Sequence, residues 1–332
     1  MRVLSLLLAV VTFTSSATAI VRWAGVNEAG GDFGSKGGVY GTDYTYPTKS
    51  SVNYFASKKA NVIRVPFLWE RLQPNLNQAL NATEFGRLNA IVNYATKTKG
   101  IYVLLDPHNY ARYNGQLIGS SAVPYNSFKK FWRLLATKYK SNGKIIFGLM
   151  NEPNTMPTEQ VLTAMQAGVD GIRSTNATQL ILVPGNAWTG AHSWTQSWYG
   201  TSNAQVMLNI KDPHNNYAYD MHQYLDSDYS GTSSSCNSPT VGSDQLATAT
   251  AWLKTNKKRA FLSEFGFGAN PTCYAAANNL LAYLNANHVW IGYTYWASGP
   301  MWSNYIYSVE PKQGGDAPQM THALNKWLRK HK

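Results

Sequence analysis

Eight short apolar runs, rich in β-branched and aromatic residues, recur along the chain. They lie at Trp23–Val26, Val62–Val65, Tyr102–Leu105, Ile145–Leu149, Leu180–Val183, Tyr217–Tyr219, Ala260–Leu262 and Val289–Tyr295. Successive runs start roughly 30 to 44 residues apart, which leaves room for one crossover helix between each pair. Several are apolar throughout instead of alternating, as strands covered on both faces must be. Helical spacing fills the intervals. Phe128, Phe131, Trp132, Leu135 and Tyr139 follow Pro124, and Leu162, Met165, Val169 and Ile172 follow Pro157. Alternating strand and helix implies a parallel sheet. Eight such units predict its closure into a (β/α)8 TIM barrel, a single α/β domain. The 332 residues are enough for it, since such barrels need roughly 250. No Pro/Ser/Thr/Gly-rich linker divides the chain. The glycine-rich stretch 30–38 has neither the phosphate-loop nor the dinucleotide spacing, and reads as a flexible loop over a cleft.

The first 19 residues read as a signal peptide. Arg2 precedes an apolar run, Val3 to Phe13, that is too short to span a bilayer, and Ala17-Thr18-Ala19 is a cleavage signal. The mature barrel is then expected over 20–332, secreted, with no membrane association and as a monomer. Cys236 and Cys273 agree with an oxidising compartment. Both stand in polar, Ser- and Pro-containing stretches, which predicts one disulfide pinning two loops. Two isolated cysteines without ligand spacing argue against a zinc site. Asn81-Ala-Thr and Asn176-Ala-Thr are N-glycosylation acceptors. The net charge of +12 raises the question of nucleic acid. The basic residues are scattered, however, in short groups such as Lys257-Lys258-Arg259 and the tail Arg329-Lys330-His331-Lys332, and no recognition motif accompanies them. Aromatic residues make up 13 % of the chain and charged ones 14 %, a balance that suits an enzyme with an aromatic-lined cleft.

The polar residues fall where the strands end. The runs lead into Asn27-Glu28, Pro66 after Arg64, Asp106-Pro-His108-Asn109, Asn151-Glu152, Asn186-Ala-Trp188, Asp220-Met-His222-Gln-Tyr224, Ser263-Glu264 and Trp296. Barrel enzymes build their sites at the C-terminal ends of strands. Buried polar groups there cost free energy unless partnered. Glu152 and Glu264, after strands four and seven, are expected to face each other across the barrel mouth. Two facing carboxylates are what glycosidic cleavage needs, one to protonate the leaving oxygen and one to attack or to activate water. The two groups suffice chemically, so no metal or cofactor is implied.

At these residues the chain resembles glycoside hydrolase family 5, the cellulase family, and in particular its fungal-type endo-β-1,4-glucanases. The resemblance rests on Ile145-Ile-Phe-Gly-Leu-Met-Asn-Glu-Pro-Asn154, Val62-Ile-Arg-Val-Pro66, Asp106-Pro-His-Asn-Tyr110, His222-Gln-Tyr224, Leu262-Ser-Glu-Phe-Gly266 and Trp296-Ala-Ser-Gly-Pro300. It runs through nearly the whole mature chain in order. It implies a retaining enzyme with Glu264 as nucleophile and Glu152 as acid, then base. It also implies Asn151 on the sugar 2-hydroxyl, Tyr224 and Arg64 on Glu264, His108 and His222 lining the site, and Trp296 as the floor under a sugar ring. Trp188, Trp194 and Trp302 are candidate sugar platforms or loop core. Asn27 and Glu28 are candidates for a distant sugar contact or for capping the first loop. No cellulose-binding module is present, so soluble or amorphous β-glucan is the expected partner. A β-mannanase or exo-β-1,3-glucanase would use the same residues. A silent glycan-binding protein should have lost a carboxylate, and a nucleic-acid- or wall-binding protein would show salt-dependent binding without cleavage.

Overall fold

The computed structural model describes residues 21–312 and 315–328. The expected signal peptide, the expected start of the mature chain at Ile20 and the basic tail 329–332 lie outside them.

Eight parallel strands close into a barrel. They are β1 (Trp23–Glu28), β2 (Val62–Phe67), β3 (Tyr102–Pro107), β4 (Ile145–Gly148), β5 (Ile181–Pro184), β6 (Tyr217–His222), β7 (Ala260–Glu264) and β8 (Trp290–Ser298). Each strand pairs with its sequence neighbours, and β1 closes the ring by pairing with both β2 and β8. The expected (β/α)8 fold is therefore observed. Helices α1 (Lys49–Ser57), α2 (Ala82–Asn93), α3 (Tyr125–Tyr139), α4 (Thr158–Arg173), α5 (Asn203–Val206), α6 (Val241–Thr255), α7 (Pro271–Ala286) and α8 (Asn325–Leu328) follow the strands in turn. Among the described residues no helix is long and apolar enough to cross a membrane.

Local chemistry sets the helix starts. Thr48, Asn81 and Asn270 cap α1, α2 and α7, each side chain accepting a backbone N–H three residues on. Pro271 opens α7, where its missing N–H costs nothing. The apolar stripe of α3 buries Phe128, Phe131, Trp132, Leu135 and Tyr139, as their spacing predicts. Helix α4 buries Met165, Val169 and Ile172, whereas Leu162 is only half-buried. The two helices pack closely at Gly171, where a Cβ would stand 2.3 Å from the Lys129 carbonyl oxygen.

The inward face of the barrel changes character along its axis. At the N-terminal end Trp23, Val62, Leu104, Ile146, Leu182, Ala218 and Phe261 form an apolar floor. Two residues on, along the same faces of their strands, stand Arg64, Asp106, Asp220 and Ser263, all buried. The strands are thus apolar where they carry the fold and polar where they open into the cleft.

One loop departs from simple expectation and another meets it. The glycine-rich loop is tied down, since buried Arg71 donates to the carbonyls of Gly31, Phe33 and Ser35 at 2.6 to 2.7 Å. The Cys236–Cys273 disulfide forms as expected, joining the loop after β6 to the first turn of α7. There the backbones approach so closely that a Cβ on Gly268 would lie 1.8 Å from the Ser234 carbonyl oxygen.

Glu28 is fully buried and neither caps a loop nor reaches the cleft. The Ser51 hydroxyl lies 2.9 Å from both its carboxyl oxygens and 3.0 Å from Glu310. One hydroxyl proton cannot satisfy two carboxylates. Burial, and then the Glu310 charge, push the Glu28 carboxyl well above the ordinary carboxylate range. The folded state therefore holds this proton more tightly than the unfolded chain does. Its stabilising contribution is complete below the unfolded value of about 4.3 and is lost as pH rises through the folded value. Thermal melts between pH 4 and 9 should show Glu28→Gln matching the parent at the acid end and melting higher at the alkaline end. Parallel curves would refute the assignment.

Candidate functional site

Arg64 organises the barrel mouth. Its guanidinium is 1 % exposed. Nη1 donates to Asn27 Oδ1 at 2.8 Å and to Glu264 Oε1 at 2.6 Å. Nη2 donates to Asn151 Oδ1 at 2.7 Å and lies 3.0 Å from Asp106 Oδ2. Burial disfavours this charge, but the carboxylates of Asp106, Glu264 and Asp220 outweigh burial and raise its pKa. Asn27 is fully buried and donates to the carbonyls of Ser263, Thr294 and Tyr295. It is a brace for Arg64, not a sugar contact.

Glu264 is the last residue of β7. Tyr224 donates to its Oε2 at 2.7 Å, opposite the Arg64 bond to Oε1. Glu152 stands four positions beyond the end of β4, on a backbone with φ of 43°, in the left-handed region. Asn154 Nδ2 donates to the Glu152 carbonyl at 2.9 Å and helps hold that bend. The two carboxylates converge on His222, which closes the gap between them. His222 Nδ1 lies 2.7 Å from Glu152 Oε1 and 3.6 Å from Glu264 Oε2. The three groups bring one atom each within 4.8 Å of one another.

The environments of these groups differ. Burial raises Glu152 to about 7, against the pull of the His108 and Arg64 charges. Burial also lowers His222, which outweighs the neighbouring carboxylates and favours a neutral imidazole. His108 behaves oppositely. Burial works against its charge, but Asp106, 2.8 Å from Nδ1, lifts it to about 9. The imidazolium of His108 lies flat against Trp296, with centroids 5.3 Å apart and planes within 17°.

Asn151 Oδ1 faces Arg64, which can only donate, so its Nδ2 is the end left over. That nitrogen is buried and has no partner within the protein. It is a donor waiting for an acceptor in the cleft.

Two cavities flank the carboxylates. One, of about 480 Å³, is lined by Glu152, Tyr110, Trp188, Trp198 and Tyr229. The other, of about 510 Å³, lies over Trp296, His108, Trp302 and Phe33. Trp188 is 42 % exposed and is presented by three consecutive left-handed residues, Ala187 to Thr189. The Thr189 hydroxyl ties that turn, accepting from Gly185 N and donating to the Asp220 carbonyl. Trp302 stacks on Tyr305 at 4.2 Å and donates to the Ser298 carbonyl. Trp194 is fully buried against Tyr219 and Trp252, so it is loop core.

The structure thus gathers Arg64, His108, Asn151, Glu152, His222, Tyr224, Glu264 and Trp296 in one place, with Trp188 and Trp302 on opposite flanks. Sequence reasoning passed over Trp198 and Tyr229, which carry no pattern because loops alone bring them to the cleft, and gave no role to Tyr110 although it closes the block Asp106-Pro-His-Asn-Tyr110. It also passed over Asp106 and Asp220 as partners. A signal for these existed, since Asp-x-His recurs at the ends of β3 and β6 and a two-residue step keeps both side chains on one face.

Comparison with known proteins gives the family. The family model for cellulase (glycosyl hydrolase family 5) matches residues 15–301. Endoglucanase gh5-1 of Neurospora crassa is 44 % identical over 305 residues, covering 90 % of this chain and 75 % of the relative. Endo-beta-1,4-glucanase B of Aspergillus niger is 41 % identical, covering 93 % of this chain and 91 % of the relative. Among solved structures, XacCel5A in complex with cellopentaose superposes with a TM-score of 0.90 at 45 % identity, covering 92 % of this chain and 99 % of that one. The chain belongs to glycosyl hydrolase family 5, the cellulase family, and is a glycoside hydrolase.

Proposed function

We propose that this protein is a secreted endo-β-1,4-glucanase that cleaves internal bonds of cellulose and related β-glucans with retention. The observation that carries this reading is the carboxylate pair. Glu152 and Glu264 have atoms within 4.8 Å, and their surroundings are opposite in kind. A retaining glycosidase needs its carboxyls about 5 Å apart, whereas an inverting one leaves room for water between them.

In the first step Glu264, held by Arg64 and Tyr224, attacks the anomeric carbon. Glu152 gives its proton to the departing oxygen. In the second step Glu152, now a carboxylate, takes a proton from water, and the water oxygen displaces Glu264. Asn151 Nδ2 donates to the sugar 2-hydroxyl, a contact that strengthens in the transition state. Because Glu152 must touch the leaving oxygen, the cavity beside it with Trp188 takes the leaving part of the chain. The Trp296 cavity takes the sugar that becomes bonded to Glu264. The relatives named endoglucanase and endo-β-1,4-glucanase, and the cellopentaose held by XacCel5A, support β-1,4-glucan as substrate. The disulfide agrees with an exported protein.

Glu264→Gln is expected to lower kcat on carboxymethyl-cellulose on the order of a thousandfold or more. Glu152→Gln should cost about 10²- to 10⁴-fold, with a smaller loss on aryl cellobiosides whose leaving group needs no proton. Normal hydrolysis by Glu264→Gln, or an α-anomer as first product by NMR, would overturn the mechanism. Faster release from mannan or laminarin than from cellulosic substrates would overturn the substrate.

Glu152 must begin each turnover protonated. With its pKa at about 7, activity should fall on the alkaline side of that value, about tenfold per pH unit. A kcat/KM profile measured from pH 4 to 9 checks this. Trp188→Ala should raise KM for cellopentaose more than it lowers kcat, and equal changes on cellobiosides and cellopentaose would count against a leaving-side platform.

A further inference from the structure

Asp220 is a buried carboxyl in the barrel interior to which the reaction above gives no part. It lies on β6 two residues before His222, is 2 % exposed, and has one carboxyl oxygen without a hydrogen-bond partner. The Ser263 side chain of β7 addresses this carboxyl and, against burial, works to lower its pKa. The Ser263 hydroxyl lies 2.9 Å from His222 Nε2, and His222 Nδ1 lies 2.7 Å from Glu152 Oε1. Four side chains therefore follow one another from the cleft to the barrel interior: Glu152, His222, Ser263, Asp220.

A neutral imidazole and a hydroxyl each carry one mobile proton, so the line has two self-consistent polarities. In the first, Glu152 is protonated and donates to Nδ1. His222 Nε2–H donates to Ser263, and Ser263 donates to the Asp220 carboxylate. In the second, protonated Asp220 donates to Ser263, Ser263 donates to Nε2, and Nδ1–H donates to the Glu152 carboxylate. Three protons are present in each state, and none is gained or lost. If both carboxyls are ionised, two protons must serve three links, so one link of the line is left without a hydrogen bond.

We propose that Asp220 is a positioning residue that shares one proton with Glu152 through Ser263 and His222, and so keeps the acid/base charged with its proton at the start of each turnover. This rests on the reading of Glu152 as the acid. When Glu152 protonates the leaving oxygen, the first polarity collapses and the line can reverse. The Asp220 carboxylate opposes that collapse as a second negative charge.

The charges around the line come from several strands. Asp220 faces Arg64 of β2, Asp106 of β3 and His222 of its own strand. Glu152 faces His108 and Asp106 of β3, Arg64 of β2 and His222, with Glu264 of β7 beyond. Burial lifts Asp220 to about 6, near the Glu152 value, so one proton can be shared between the two ends.

The test is Asp220→Asn, which keeps size and shape but removes the charge. An amide N–H donated to Ser263 would also lock the second polarity. Both effects favour ionised Glu152, so the alkaline limb of kcat/KM should move down by about one pH unit, while activity at pH 5 stays near the parent's. Ser263→Ala breaks the line and should move the limb the same way. The double variant should move it no further than the larger single shift. ¹³C carboxyl NMR titration, with Glu152 assigned by its loss in Glu152→Gln, reads the same shift without turnover. It therefore stands even if Glu152 is not the acid. A limb and a titration that stay in place in Asp220→Asn, with melting temperature or kcat altered equally at all pH values, would make Asp220 a structural filler and overturn the proposal. Fully additive shifts in the double variant would reduce it to through-space charge and overturn the relay.

Discussion

The buried guanidinium of Arg64 is the constraint on which the cleft depends. One rigid fork contacts β1 through Asn27, β3 through Asp106, the loop after β4 through Asn151, and β7 through Glu264. Arginine suits this place because it is planar, permanently charged and able to donate in several fixed directions. Removing one partner of a buried ion pair costs roughly 3–5 kcal/mol, because the other charge is left without compensation. Here loss of the cation would strand Asp106 and Glu264 together. The arginine is thus both the lid on the apolar floor of the barrel and the frame that holds the polar residues of its mouth.

From this frame follows the contrast between the surroundings of the two glutamates. Two carboxylates within 5 Å do not readily ionise together. Arg64 and Tyr224 both donate to Glu264, one to each carboxyl oxygen. The Glu152 carboxyl meets a neutral imidazole, and burial, outweighing the His108 and Arg64 charges, raises its pKa to about 7. Asp106 works similarly one step away, binding Arg64 and turning His108 into a cation beneath the aromatic wall. The chemistry is therefore distributed by hydrogen-bond geometry, not by residue type.

This explains what could be read from the sequence. Strand positions were legible because burial on both faces forces continuous apolar runs, and each run ends where the inner face turns polar. Glu152 and Glu264 were legible because they follow such runs, and the helices α3 and α4 because a one-sided burial writes a 3.6-residue period. What lay beyond reach depends on contacts between distant residues. Glu28 reads like a mouth carboxylate, but Ser51 and Glu310 enclose it away from the cleft. The glycine-rich loop reads as free, but Arg71, some 40 residues on, binds three of its carbonyls. Trp194 and Trp198 look alike in sequence, yet one is sealed in the core and the other is 53 % exposed. Their fates are decided by how a loop folds back, and no local period records that.

The left-handed residues at the mouth have a wider consequence. Tyr110, Ala111, Glu152 and the run Ala187 to Thr189 all have φ between 43° and 58° without being glycine. Such conformations cost of order 1–3 kcal/mol each, and the barrel beneath holds them. Natural variation at these points meets opposed demands. A glycine beside Trp188 would relieve the backbone and raise resistance to heat, but it would also loosen the turn that aims the indole. Directed evolution for thermal tolerance should therefore find its gains in the outer helices and the floor, leaving the rim as the part of the molecule that trades durability for aim.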